Sequence, residues 1–105
     1  REIIIEMEKD SGTKFNNLKV DGGASNNNLL MQIQSNLLNT NVIRPKITET
    51  TALGAAFFSG LASGFWSSID ELNGIWEIDR EFCAAPSKND ESVINNWESR
   101  IKKVQ

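Results

Sequence analysis

The stretch Val20-Asp21-Gly22-Gly23-Ala24-Ser25-Asn26-Asn27-Asn28 decides how this chain is read. It follows Leu18-Lys19-Val20, where apolar and polar residues alternate as in a short strand. It precedes Leu29, Leu30, Ile33, Leu37 and Leu38, which recur at helical spacing. The paired glycines therefore sit at a strand-to-helix junction. Gly22 and Gly23 can take positive φ, and they put no side chain in the way of an approaching ligand. Ser25 or Asn26 is placed to cap the new helix, whose first N–H groups suit an anion or polar ligand. The stretch is neither GxGxxG nor a P-loop, because it has two adjacent glycines and no Gly-Lys-Ser/Thr. On spacing alone a structural βα turn and a ligand site both stay open.

Upstream, Arg1–Lys9 reads as a helix ending at Asp10-Ser11-Gly12, with Gly12 suited to the left-handed C′ position. That helix starts without a capping residue and the chain starts at Arg1, so we expect a piece of a longer protein. Leu18–Asp21 is the first expected strand, and a helix follows from about Ser25 to Asn39. Its stripe of Leu30, Ile33 and Leu37, widened by Leu29 and Leu38, should face a sheet or another helix. Asn41–Arg44 reads as a second strand closed by Pro45, which cannot donate to a ladder.

A helix from about Thr51 to Gly64, capped by Thr50 or Thr51, is apolar nearly all round. Ala52, Ala55, Ala56, Ser59 and Ala62 give it a small-residue face, and Leu53, Phe57 and Leu61 a bulky one. Such a helix is expected to be buried, and it needs more protein around it than 105 residues comfortably supply. Ser68–Leu72 suggests one helical turn, and Ile75-Trp76-Glu77-Ile78 alternates like an edge strand. Phe82 to Pro86 reads as loop. A last helix begins near Ser87 to Asn89, runs to Lys103, and carries Val93, Trp97, Ile101 and Val104 on one stripe. Helices alternating with short strands imply an α/β fold with parallel pairing.

The chain has 105 residues, 39% of them hydrophobic, which allows one domain at most. A net charge of −3 argues against nucleic acid as the main partner. Lys102 and Lys103 are better read as complements to a helix C-terminus. With no histidine, His-based metal sites and Ser/His/Asp or Cys/His catalysis cannot be assembled from this chain. Cys83 is alone, so it forms no internal disulfide and is expected to be a small, half-buried residue. A reducing, cytoplasmic compartment fits that usage. No apolar run approaches the ~20 residues of a membrane span.

Leu18-Lys19-Val20-Asp21-Gly22-Gly23-Ala24, then Asn27-Asn28, Leu30-Met31-Gln32 and Gln34-Ser35, closely resembles the glycerol kinases of the FGGY carbohydrate kinase family. Thr40-Asn41-Val42-Ile43-Arg44-Pro45 and Glu49-Thr50-Thr51-Ala52-Leu53-Gly54-Ala55-Ala56 continue the likeness. So do Gly60-Leu61-Ala62, Gly64-Phe65-Trp66 and Arg80-Glu81-Phe82. The resemblance runs from about Arg1 to Phe82, and the tail from Cys83 departs from it apart from the Trp97 helix.

The resemblance implies a ribonuclease H-like domain of the actin-like ATPase superfamily, with residues 1–105 forming the C-terminal portion of the nucleotide-binding domain. It implies short parallel strands with packed helices. It implies that Gly23 lies with its backbone against an adenine nucleotide, that Gly22 and Ala24 line the same turn, and that Asn27 reaches the adenine or its neighbourhood. The family's reaction transfers the γ-phosphoryl group of MgATP to a terminal hydroxyl of glycerol. Its base, its glycerol contacts and most phosphate contacts come from upstream of this segment. The resemblance therefore assigns no catalytic and no metal-ligating residue here, and Asp21 a structural duty in the turn or indirect help with the metal site rather than proton abstraction. The implied partners are glycerol, ATP and the remainder of the kinase chain, with homo-oligomerisation left open. Other FGGY sugar or polyol kinases, or a free-standing interaction module docking through the Ala52–Ala62 helix, are the competing expectations.

Overall fold

Val42 and Ile43 are buried at the middle of Asn41–Pro45, a strand whose last four residues are all out of water. Burial on both faces is why this strand reads as a continuous run rather than an alternation. It is the second strand, β2, of a three-stranded sheet ordered β1-β2-β3, in a computed structural model that describes residues 1–103. β1 (Asn17–Lys19) pairs with β2 in parallel, Leu18 opposite Val42 and Lys19 opposite Ile43. β3 (Ile78–Phe82) pairs antiparallel, Phe82 opposite Val42 and Arg80 opposite Arg44. The register slips between Arg44 and Pro45, where proline offers no N–H to the ladder.

The sheet is thus mixed, not parallel throughout, and the third strand begins only at Ile78, the last residue of the alternating Ile75–Ile78 segment. Ile75, Trp76 and Glu77 are instead the connection into β3. The Lys46 N–H donates to the Glu77 carbonyl at 2.9 Å, and the Lys19 ammonium sits 4.1 Å over the Trp76 ring. One backbone bond and a side-chain contact hold that connection in place of a ladder, which is what the alternation cannot reveal. Phe82, expected in a loop, closes the strand and is almost wholly buried.

Helix α1 (Glu2–Ser11) ends as expected at Gly12, whose φ of 65° is left-handed. Helix α2 (Asn28–Leu38) supplies the crossover that parallel pairing of β1 and β2 requires. It turns Met31 and Ser35, not the Leu30–Ile33–Leu37 stripe, onto the sheet. Met31 joins Val42 and Phe82 in the core, with Leu18 and Val20 packed against them. Ser35 is fully buried; its hydroxyl lies 2.9 Å from the Thr40 carbonyl and 2.8 Å from the Phe82 carbonyl, two acceptors sharing one proton. A polar side chain is needed there because the neighbouring carbonyls would otherwise be buried without a donor. A hydrophobicity pattern counts Ser35 as surface and misassigns the face.

Helix α3 (Thr50–Ala62) has no buried residue, contrary to its apolar sequence; Phe58 is 76% exposed and Phe65, just beyond, 77%. Its N-cap is Glu49, with no side-chain capping bond. Gly60 lies under the Trp66 ring, which a Cβ there would strike, and the Gly60 carbonyl accepts the Phe65 N–H at 2.8 Å. The chain thus folds sharply back at Gly-Phe-Trp. Helix α4 (Ile69–Asn73) is the single turn expected near Ser68–Leu72. Helix α5 (Lys88–Ile101) starts at Ser87 with a reciprocal capping box: Ser87 Oγ accepts the Asp90 N–H at 3.3 Å, and the Asp90 carboxylate accepts the Ser87 N–H at 2.8 Å. Val104, read as the last residue of its apolar stripe, lies outside the described residues. Cys83 is exposed rather than half-buried, because it follows the last residue of the edge strand β3. No helix among the described residues is long and apolar enough to cross a membrane.

Ser35→Ala is expected to lower unfolding free energy by about 1–3 kcal/mol, the range for leaving buried acceptors without their donor. Urea denaturation of the parent and variant checks this, with exposed Ser99→Ala as the neutral control.

Candidate functional site

The glycine turn is built from the end of β1 outward. The Val20 N–H donates to the Ile43 carbonyl at 3.1 Å, carrying the ladder one residue past the strand. Asp21 then leaves the sheet, and its carboxylate accepts the Thr50 hydroxyl at the start of α3. The Gly22 N–H donates to the Thr48 carbonyl at 2.7 Å. Gly22 has φ 76° and ψ 168°, a conformation essentially confined to glycine. From it the chain enters a single 3-10 turn, Gly23–Asn26, before α2 begins. The Ser25 N–H and hydroxyl both reach back to the Gly22 carbonyl, at 3.0 and 2.7 Å.

Ser25 and Asn26 were the expected caps of α2, but the 3-10 turn occupies them. The cap is Asn27, whose Oδ1 accepts the Leu30 N–H at 3.1 Å. That bond fixes the amide: with its oxygen turned to the helix, Nδ2 is left to donate outward. The four residues Gly22, Gly23, Ala24 and Asn27 are therefore brought together on one short turn. At Gly22 and Gly23 a Cβ would meet nothing within 4 Å, so the backbone borders open space. Among the described residues the Gly23 and Ala24 N–H groups have no protein acceptor. Two free donors, a bare backbone and an outward amide can bind a polar, planar ligand.

Beside the turn lies an open cleft of about 660 Å³, bordered by Ile4 of α1, Leu18 of β1 with Val20 just beyond it, and Leu30, Ile33 and Leu37 of α2. The apolar stripe of α2 faces this cleft. Of the four turn residues, Ala24 alone lines it, so Gly22, Gly23 and Asn27 look onto the neighbouring surface. No three Cys, Asp or Glu side chains converge as metal ligands among the described residues.

The sequence reading missed Arg44. It is buried, 9% exposed, at the end of β2. Its Nη1 donates to the Ser25 carbonyl at 2.8 Å and to Asn28 Oδ1 at 2.9 Å. Its Nε and Nη2 both reach Asp79 Oδ2 of β3, at 2.8 and 2.6 Å. An arginine inside an otherwise apolar buried strand was the available signal, since such a residue must find partners.

Residues 1–63 match the FGGY family of carbohydrate kinases, C-terminal domain. The chain belongs to that family. Among curated FGGY relatives it is 50% identical over 106 residues to the glycerol kinase of Symbiobacterium thermophilum, covering all of this chain and 21% of that protein. It is 48% identical over 104 residues to the glycerol kinase of Burkholderia pseudomallei, covering 96% of this chain and 20% of that one. The chain thus spans about a fifth of the length of the relatives it matches. Among solved structures it superposes on Plasmodium falciparum glycerol kinase with ADP at a TM-score of 0.79 and 28% identity, covering 97% of this chain and 21% of the other. Ligand-bound xylulose kinase from Lactobacillus acidophilus matches at a TM-score of 0.64 and 16% identity, covering 88% and 18%, a likeness of fold alone. The α/β fold expected from the resemblance, that of an actin-like ATPase domain, is therefore present, with its sheet mixed.

Gly22→Ala is expected to cost about 1–3 kcal/mol, because alanine is strained at that φ and ψ. Gly23→Ala should stay within about 0.5 kcal/mol, as an exposed substitution without such strain. Urea denaturation of the two variants side by side separates them.

Proposed function

We propose that this chain is the C-terminal part of an ATP-dependent glycerol kinase, and that it supplies one wall of the adenine-nucleotide site. The observation that carries the reading is identity of 44–50% to glycerol kinases across nearly the whole chain. Likeness to the P. falciparum enzyme with ADP, and an exposed glycine turn with free N–H donors, support the nucleotide part of it. Residues 1–105 fall within the C-terminal domain of the enzyme, which works in the cytoplasm.

In this reading Gly22, Gly23 and Ala24 present backbone to the nucleotide, and Asn27 Nδ2 donates to an acceptor nitrogen of the adenine. A side chain at Gly23 would occupy the space the nucleotide needs. The reaction joins a terminal glycerol oxygen to the γ-phosphorus while the bond to the β–γ bridging oxygen breaks. The hydroxyl proton passes to a base, and ADP leaves. That base and the glycerol contacts belong to the rest of the enzyme. Asp21 is engaged by Thr50 and serves the turn. Mg2+ travels with ATP and takes few protein ligands. In this reading its protein ligands belong to the rest of the enzyme.

The full-length gene product is expected to release ADP from MgATP only when glycerol is present, and the 105-residue chain alone to release none. Faster turnover of xylulose or ribulose than of glycerol would reverse the substrate assignment. Glycerol-dependent turnover by the isolated chain would reverse the division of labour. Asn27→Asp keeps the capping oxygen and loses the outward donor. It should leave stability unchanged and raise KM for MgATP about tenfold, the loss of one ligand hydrogen bond. Steady-state kinetics and urea denaturation on the same preparations check it.

A further inference from the structure

Arg44 makes no contact with the outward side of the glycine turn, yet it holds the turn from behind. We propose that Arg44, anchored by Asp79, is the positioning residue of the nucleotide wall: one guanidinium sets the Gly23–Asn26 turn and the start of α2 relative to the sheet. The inference rests on the nucleotide reading of that turn.

The geometry assigns each donor a task. Nη1 holds the Ser25 carbonyl at 2.8 Å, and Ser25 is itself 1% exposed, so the inner side of the turn is pinned while Gly23 and Ala24 face outward. The same Nη1 holds Asn28 Oδ1 at 2.9 Å. Asn28 opens α2 and adjoins Asn27, so the bond fixes the direction in which Asn27 projects. Nε and Nη2 bind one oxygen of Asp79, which fixes the plane of the guanidinium and balances its charge. The Phe82 ring, 5.4 Å from the guanidinium carbon, closes the remaining side. Lysine cannot substitute, because a single ammonium has no planar fork to span three elements. Val20 bonds the sheet and Gly22 bonds Thr48 before the 3-10 turn, and Met31 and Ser35 hold α2 to the sheet only beyond its first turn, so Arg44 is the hydrogen-bonded tie at the far end of the 3-10 turn itself.

The test uses the full-length gene product and four variants. Asn28→Ala removes one link without touching the guanidinium, and Asn28→Asp returns an oxygen to the same place. Arg44→Lys and Asp79→Asn alter the fork and its anchor. Asn28→Ala and Arg44→Lys are expected to raise KM for MgATP about tenfold, with kcat and KM for glycerol within about twofold, because a bond to a charged group is lost only on the nucleotide side. Asp79→Asn should fall between them and the parent, and Asn28→Asp should return KM close to the parent value. Circular dichroism confirms that each variant is folded.

Unchanged KM for MgATP in folded Asn28→Ala and Arg44→Lys, with the parent active, overturns the positioning role and leaves the nucleotide reading intact. Equal losses in kcat and both KM values, or no rescue by Asn28→Asp, overturn it in favour of a general structural role. A parent that binds no MgADP by calorimetry overturns both. Should Arg44→Lys fail to fold, the Asn28 pair decides.

Discussion

A cation taken out of water must be paired, and Arg44 is the cation this structure is arranged around. Leaving it buried with one partner missing would be far worse than leaving it on the surface. Its donors are met by a carbonyl from the 3-10 turn, an amide oxygen from α2 and a carboxylate from β3. Asp79 lies far in sequence from Ser25 and Asn28, so the requirement that it meet the same guanidinium fixes the third strand beside the second. It also explains the antiparallel choice: Asp79 must approach the Pro45 end of β2, while Phe82 returns to the core opposite Val42. The pairing and the packing thus demand the same register.

Around that constraint the chain divides its polar and apolar work unusually. Ser35 and Arg44, both buried, settle the hydrogen bonding behind the sheet and the turn. The apolar stripe of α2 meanwhile borders an open cleft, and α3 has no fully buried residue. A hydrophobic surface without a cover is costly, at roughly 25 cal/mol per Å². That this chain spends its best apolar helix on exposed surface is consistent with relatives five times its length.

Features set by neighbouring residues were legible in the sequence. Gly12 ends α1, Ser87 starts α5, and the paired glycines stand between β1 and α2, because caps and turns depend on residues three or four apart. The family and the turn residues were legible through a run of motifs matched in order. What failed depended on distant partners. β3 was misplaced because its register answers to Arg44 and Val42, not to its own alternation. The buried face of α2 was misread because Ser35 is inside for its proton, which a hydrophobic period does not count. Asn27 lost the capping role to Ser25 and Asn26 on paper, since nothing local announces that a 3-10 turn will precede α2.

The distinction between these two kinds of feature bears on how the turn can work. A ligand that must order a loop on binding loses affinity to the entropy of that ordering. Here Gly22 is fixed by Thr48, the inner face by Arg44, and the Asn27 amide by Leu30, each through a bond within the chain itself. The entropy is therefore met when the chain folds, by burial of Phe82, Met31 and Val42, rather than when a ligand arrives. Preorganisation of this kind requires that the rigid element be tied to the core. A short turn bonded at its front to the segment after β2 and at its back to a buried guanidinium meets that requirement, even where the rest of a cleft has to come from elsewhere.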